Sequence, residues 1–297
     1  MKKTISFLIF VIVMLSAASL QAQNTSSQIS DEQAHEIVLN GTPDDVKKLI
    51  QSGYDVNKVY NCNTLLNTAI KSAARGEDSD ENPSYAVDKV KILVNAGADV
   101  NLIPCDGFSM TALNWAVSLP MHTYSLEQEI YSKLNTLPQK EGECNFPGIV
   151  SKPCKSISQE DLKKIKETIH SSFVIKNKYL VPYFMEIIRC LVEHGANVNS
   201  NSENGMKTAP IHLAAMNNEE ITLEPLEYLI RNGANVNVLD AMGNTPLFYA
   251  FGRGNTKAIK LLKDSGANIK IRNIEGVLYD EVTAQYMTTY FSENLFN

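Results

Sequence analysis

Apolar positions along this chain recur at helical spacing, in runs that each stop at a glycine. Val46, Leu49 and Ile50 precede Gly53, and Ile259, Leu261 and Leu262 precede Gly266. Such spacing places apolar side chains on one face of a helix, and a glycine just beyond supplies the positive φ that ends it. The ending is one phrase written five times: Ser52-Gly53-Tyr54-Asp55-Val56-Asn57, Ala96-Gly97-Ala98-Asp99-Val100-Asn101, His194-Gly195-Ala196-Asn197-Val198-Asn199, Asn232-Gly233-Ala234-Asn235-Val236-Asn237 and Ser265-Gly266-Ala267-Asn268-Ile269. After the last two full phrases come Ala209-Pro210-Ile211-His212-Leu213-Ala214-Ala215 and Thr245-Pro246-Leu247-Phe248-Tyr249-Ala250-Phe251. Proline suits the first turn of a helix, where an N–H has no partner to lose, and the small residues after it let helices approach closely. Weaker copies of this start run from Gln33 to Val38, Thr64 to Ile70 and Thr111 to Val117.

Paired helices with such starts and stops, stepping by 33 residues in the final copy, make the sequence resemble the ankyrin-repeat family. The resemblance covers nearly all of the chain beyond its N-terminal segment. It implies an all-α ankyrin-repeat solenoid over residues 27–297, with five repeats and a degenerate C-terminal cap from Ile271 to Val282. Longer steps between the earlier glycines locate insertions. One, from Ala73 to Tyr85, holds the acidic stretch Glu77-Asp78-Ser79-Asp80-Glu81 and reads as a solvated loop. The other, residues 121–181 in the third repeat, is predicted to be helical. Capping patterns start at Ser125 and Ser158, with Leu126, Ile130 and Leu134 on one face of the first helix and Leu162, Ile165 and Ile169 on one face of the second.

Residues 1–22 break this pattern. Lys2 and Lys3 precede an apolar run from Ile5 to Leu15 and a small, polar end at Leu20-Gln21-Ala22, which is the organisation of a cleaved signal peptide. The run is too short to span a bilayer, which takes about 20 residues, so the expectation is a periplasmic or secreted protein with no membrane insertion after cleavage. Export permits disulfides. Cys144 and Cys154 enclose a short segment containing Pro and Gly and form the first expected pair; Cys62 and Cys105 lie in equivalent connecting segments and form the second. Cys190, among Ile187, Ile188, Leu191 and Val192, reads as an inert core residue. A zinc site using these thiols with His122 or His170 lacks ligand spacing, so no metal is expected.

The formal charge of −6 opposes a nucleic-acid partner, which would need clustered Lys and Arg. No nucleophile motif, metal-protease motif or phosphate-binding glycine loop occurs, so neither an enzyme nor a cofactor is expected. His35 and His212 sit at helix starts, where the resemblance implies local hydrogen bonds. What the resemblance implies instead is a protein-binding module with a concave face. Aligning the helix starts gives Thr68, Trp115, Leu213 and Tyr249 one equivalent outward position, followed by Lys71 and Met216 and then by Arg253. Trp115, Leu213, Met216, Tyr249 and Arg253 are the expected binding patch, with Thr68 and Lys71 as its rim, because such residues anchor interfaces. The contrary reading has the insertion fold over Trp115 and bury it. A different class of function also stays open: a repeat scaffold whose Cys-containing insertion has redox or catalytic activity.

Overall fold

A computed structural model of the chain describes residues 29–73, 83–105, 110–120, 142–143, 153–154, 159–202, 205–217 and 223–279. Two layers of helices alternate along it. The first layer holds α1 (Asp31–Asn40), α3 (Leu65–Ser72), α5 (112–120), α7 (Pro210–Ala215) and α9 (Pro246–Gly252). The second holds α2 (Pro43–Gln51), α4 (Ser84–Asn95), the C-terminal part of α6 (Gln159–Glu193), α8 (Glu224–Arg231) and α10 (Thr256–Asp264). Contacts run within pairs, α1 with α2, α3 with α4, α7 with α8 and α9 with α10, and between neighbours, α1 with α3, α2 with α4, α4 with α6, α6 with α8 and α7 with α9. Extended structure among the described residues is limited to one antiparallel pair, β1 (Gly142–Glu143) with β2 (Pro153–Cys154), and two isolated bridges.

Local sequence sets these elements. Ser30 caps α1 with Gln33, and Thr42 caps α2 with Asp45 and Pro43, each as a reciprocal pair that satisfies two backbone donors. At α7 the preceding residue is Ala209, which has no capping side chain, and His212 substitutes: its Nδ1 accepts from the Ala209 N–H at 3.0 Å. Each of the five phrase glycines follows a helix end, as with Gly97 at φ 91° after α4, where the Ala98 N–H returns to the Leu93 carbonyl at 3.0 Å.

The phrase also joins each repeat to the next. Asn57 donates from Nδ2 to the Gly97 carbonyl at 3.0 Å and accepts at Oδ1 from the Asp99 N–H at 2.7 Å. Asn101 does the same to Gly195 and Asn197 at 2.9 and 2.8 Å, Asn199 to Gly233 and Asn235 at 3.1 and 2.8 Å, and Asn237 to Gly266 and Asn268 at 3.1 and 2.7 Å. The preceding Asp or Asn holds each ladder residue in place by accepting its N–H, as Asp99 does for Asn101 at 2.8 Å. Asn101 and Gly195 lie 94 residues apart, yet their bond has the geometry of the other steps. The long segment between them therefore leaves the stacking untouched. In the fifth phrase this position is Lys270, and Ile269 beside it is exposed.

A buried row runs parallel. Asn67 Nδ2 donates to the Met110 carbonyl at 3.5 Å, Asn114 Nδ2 to the Thr208 carbonyl at 2.9 Å, and His212 Nε2 to the Asn244 carbonyl at 3.1 Å. The hairpin tips meet as well, Ala241 N–H on the Met206 carbonyl and Ile274 N–H on the Met242 carbonyl. Between those last two tips Gly243 has φ 75°, and a Cβ there would stand 3.2 Å from the Ile274 nitrogen. The apolar core is continuous from Ala34 and Val38 through Leu66, Leu93, Leu113, Ile188, Leu213 and Leu229 to Leu262.

The second helix expected in the insertion is part of α6, which runs unbroken for 35 residues, through Pro182, into the second-layer helix that ends before Gly195. Its faces differ accordingly. Leu162 is buried and Ile165 is exposed, whereas Leu180, Phe184, Ile187, Ile188 and Leu191 join the core. The helix expected from Ser125 and the acidic stretch at 77–81 lie outside the described residues.

Replacing Asn101 with Ala removes two hydrogen bonds at the step that carries the insertion. An expected loss of about 1–3 kcal/mol follows, read as a lower urea midpoint with an unchanged slope. An unaltered midpoint would show that the ladder contributes nothing there.

Candidate functional site

The positions chosen from helix alignment divide into two groups. Leu213 and Tyr249 are 0 % exposed and Met216 is 3 % exposed, so these three are core residues and offer nothing to a partner. For Tyr249 the cause lies in its hairpin. Tyr249 points from α9 toward its own hairpin and donates from its hydroxyl to Asp240 Oδ2 at 2.7 Å. Asp240 also accepts from the Met242 and Asn244 N–H groups and from Asn244 Nδ2, which fixes the turn ahead of α9. The His212 ring packs on Tyr249, with centroids 5.0 Å apart. Helix periodicity places the backbone of α9 correctly but carries no information on where the hairpin folds. Sequence reasoning missed Asp240; its signal is the turn-forming Asp240-Ala241-Met242-Gly243 run before Thr245-Pro246.

Of the remaining positions, Lys71, Trp115 and Arg253 keep some exposure, while Thr68 does not. Trp115 on α5 is half-buried and packs on the core with part of its indole left open. Lys71 on α3 lies over that ring, its Nζ 4.1 Å from the centroid, and donates to Asn63 Oδ1 at 2.6 Å. Desolvation by its surroundings lowers the pKa of Lys71. Thr68 is buried, its hydroxyl donating to the Thr64 carbonyl at 3.1 Å while contacting His35 Nδ1 at 2.7 Å. The other ring nitrogen of His35, Nε2, is buried without a hydrogen-bond partner. Arg253 is exposed at the far end of the row. Val59, Leu239 and Ile274 are exposed on the hairpins.

Beside Asn63 the hairpins of neighbouring repeats are covalently joined. Cys62 and Cys105 form a disulfide with Cα atoms 5.3 Å apart and a sequence separation of 43. Asn61 and Cys62 both have positive φ, 47° and 55°, a conformation that side chains adopt at a cost. A loop of this length corresponds to about 4 kcal/mol by chain entropy. Cys144 lies outside the described residues, and of Cys154 the backbone alone is described, paired with Gly142. Cys190 is a buried free thiol whose pKa is pushed up by burial, the opposite of what an activated nucleophile needs. His194 beside it is turned to the Cys190 carbonyl, at 2.7 Å. His122 lies outside the described residues.

Among the described residues no helix is long and apolar enough to cross a membrane. No group of three or more acidic, His or Cys side chains there is placed to hold a metal.

Burial lowers the pKa of His212, more than the nearby Asp240 raises it. The folded protein thus keeps this imidazole neutral, while the unfolded chain binds a proton below the ordinary histidine value of about 6.5. Stability is therefore full above that value and falls as the pH drops through it. The urea midpoint should decline between about pH 7.5 and 5.5, and decline less in His212→Asn, since Asn already fills the same position at 67 and 114. An identical decline in the variant would remove His212 as its source.

Comparison with known proteins finds ankyrin repeats in part of the chain. Residues 180–273 match the family model for ankyrin repeats in three copies. The chain is 25% identical over 262 residues to a putative palmitoyltransferase, ZDHHC13, of Danio rerio, covering 86% of this chain and 33% of that one. It is 33% identical over 109 residues to a putative ankyrin repeat protein of Borreliella burgdorferi, covering 35% of this chain and 46% of that one. A third relative, the putative ankyrin repeat protein FPV230 of fowlpox virus, is 31% identical over 100 residues, covering 31% of this chain and 50% of its own. The chain spans half or less of each of these relatives.

Proposed function

We propose that this chain, which carries ankyrin repeats at residues 180–273, is a non-enzymatic module that binds a protein partner on the concave side of its stack. Ankyrin repeats are protein-interaction modules, and the binding reading rests on one observation above all. Trp115, the single Trp of the chain, is half-buried at the surface between Lys71 and the hairpins instead of sealed in the core. An aromatic side chain held in place by packing loses little freedom on binding and is the usual anchor of an interface. In this reading Lys71, Trp115 and Arg253, with the exposed hairpin residues Val59 and Leu239, form the contact surface, and Leu213, Met216 and Tyr249 hold the frame beneath it. In this reading the stack has five repeats and a degenerate cap, with residues 121–181 as an insertion in the third.

The module acts outside the cytosol, periplasmic or secreted, after loss of residues 1–22. Supporting this are the signal-like N-terminus and the Cys62–Cys105 bond, which an oxidising compartment sustains. Its role there is to shield an enzyme or neutralise a toxin. Protein recovered from its native compartment should begin near Gln23 and carry Cys62 and Cys105 as a bonded pair, with Cys190 titrating as a thiol after denaturation. An intact Met1 with all five cysteines reduced would refute export.

The binding surface is tested by affinity capture of a partner followed by Trp115→Ala. Loss of about 2 kcal/mol or more in affinity with the fold nearly intact is expected. A stability loss of roughly 3 kcal/mol or more with unchanged affinity would make Trp115 a core residue and end this assignment.

A further inference from the structure

Resting on the binding surface assigned above, a more specific feature sits at its centre. Lys71 Nζ has three donors. One goes to Asn63 Oδ1 at 2.6 Å, and the head group lies 4.1 Å from the centre of the Trp115 ring. Neither partner bears charge. Several exposed lysines are paired with carboxylates instead: Lys47 and Lys48 are bridged to Asp44 and Asp45, Lys58 to Asp31, Lys164 to Glu160 and Lys260 to Asp264, each at 3.0 Å or less. Those lysines are solvent-exposed and lose little if unpaired. Lys71 is half-buried, and in a chain of net charge −6 it stands against a neutral amide and an aromatic face.

The placement is built, not incidental. Asn63 belongs to the hairpin pinned by the Cys62–Cys105 bond and by the Tyr60–Asn63 bridge, whose N–H groups and carbonyls exchange at 3.0 and 2.9 Å. Lys71 leaves α3 and Trp115 leaves α5, so neighbouring repeats jointly hold the ammonium. A cation already stripped of part of its water and fixed in direction gains more from an incoming carboxylate than a hydrated surface lysine does. The indole edge supplies apolar cover that keeps water from the pair.

We infer that the partner presents an Asp or Glu side chain to Lys71, with adjoining apolar surface laid on Trp115. The occupant is therefore a protein segment with an acidic residue beside an apolar one, recognised at the junction of the second and third helix pairs. Lys71 is the specificity-determining residue of this surface and Asn63 positions it.

The test uses the full-length oxidised protein and a random 12-residue peptide display library, with selected sequences resynthesised and measured by fluorescence anisotropy. Selected peptides should be enriched in Glu or Asp next to apolar residues. Exchange of that Glu for Gln should weaken binding at least tenfold to the native protein and hardly at all to Lys71→Met. Lys260→Met, which alters an exposed lysine on α10, should bind as the native protein does. Thermal unfolding of each variant shows whether it is folded, and Lys71→Arg, which keeps the charge, should retain more affinity than Lys71→Met. Peptides that require Trp115 but bind equally with Gln in place of Glu, or equally to Lys71→Met, would overturn the acidic partner and leave the surface standing. A selection giving no ligand that depends on Trp115 would overturn both.

Discussion

Four asparagines hold this molecule in register. Asn57, Asn101, Asn199 and Asn237 each reach out of one repeat to pair with a carbonyl and an N–H of the next, satisfying backbone groups that the end of a helix leaves without partners. An amide side chain suits the task because it offers a donor and an acceptor side by side. Helices in a stack touch only their neighbours, so the fold has no central core to enforce alignment and depends on what fixes each step. The ladder also explains how the chain accommodates a long excursion between the second and third phrases: Asn101 pairs with Gly195 as if nothing intervened. Where the ladder residue becomes Lys270 and Ile269 is left exposed, the regular steps end.

The frame was legible in the sequence because it is written as repetition. The five glycine phrases mark helix ends, and the proline and threonine starts mark helix beginnings, as the dihedral at Gly97, the cap at Thr64 and the start at Thr245-Pro246 bear out. The repeated Asn was visible too, but its use was not, since a bridge between repeats is a contact at long range. The surface was read less well for a definable reason. Helix periodicity tells which residues share a face; it does not tell what lies opposite. Leu213, Met216 and Tyr249 lie at positions aligned with that of Trp115 yet are buried, and for Tyr249 the cause is a hairpin drawn down by the Asp240 carboxylate on its hydroxyl. The full extent of α6 was not legible either: it runs on through Pro182, where its exposed half meets its buried half.

Burial and exposure along the first helix layer thus divide the labour. Toward the C-terminal end, His212, Tyr249, Asp240 and Asn244 form a closed polar network in which each group has a partner, rigid and without reach to solvent. Toward the N-terminal end, Lys71 and Trp115 are held in place by the same kind of packing but keep an open side, next to a covalent link between hairpins. The described free thiol, Cys190, is buried, and that burial raises its pKa.

The single tryptophan gives the most direct reading of the central claim, that the half-open indole beside Lys71 is where a partner sits. Acrylamide quenching of Trp115 emission, measured on the free protein and again on the captured complex with a partner lacking tryptophan, reports its access to solvent in each state. Partial quenching in the free protein, falling steeply when the partner is bound, is the expected result. Equal quenching with and without saturating partner would place the contact elsewhere and contradict the account.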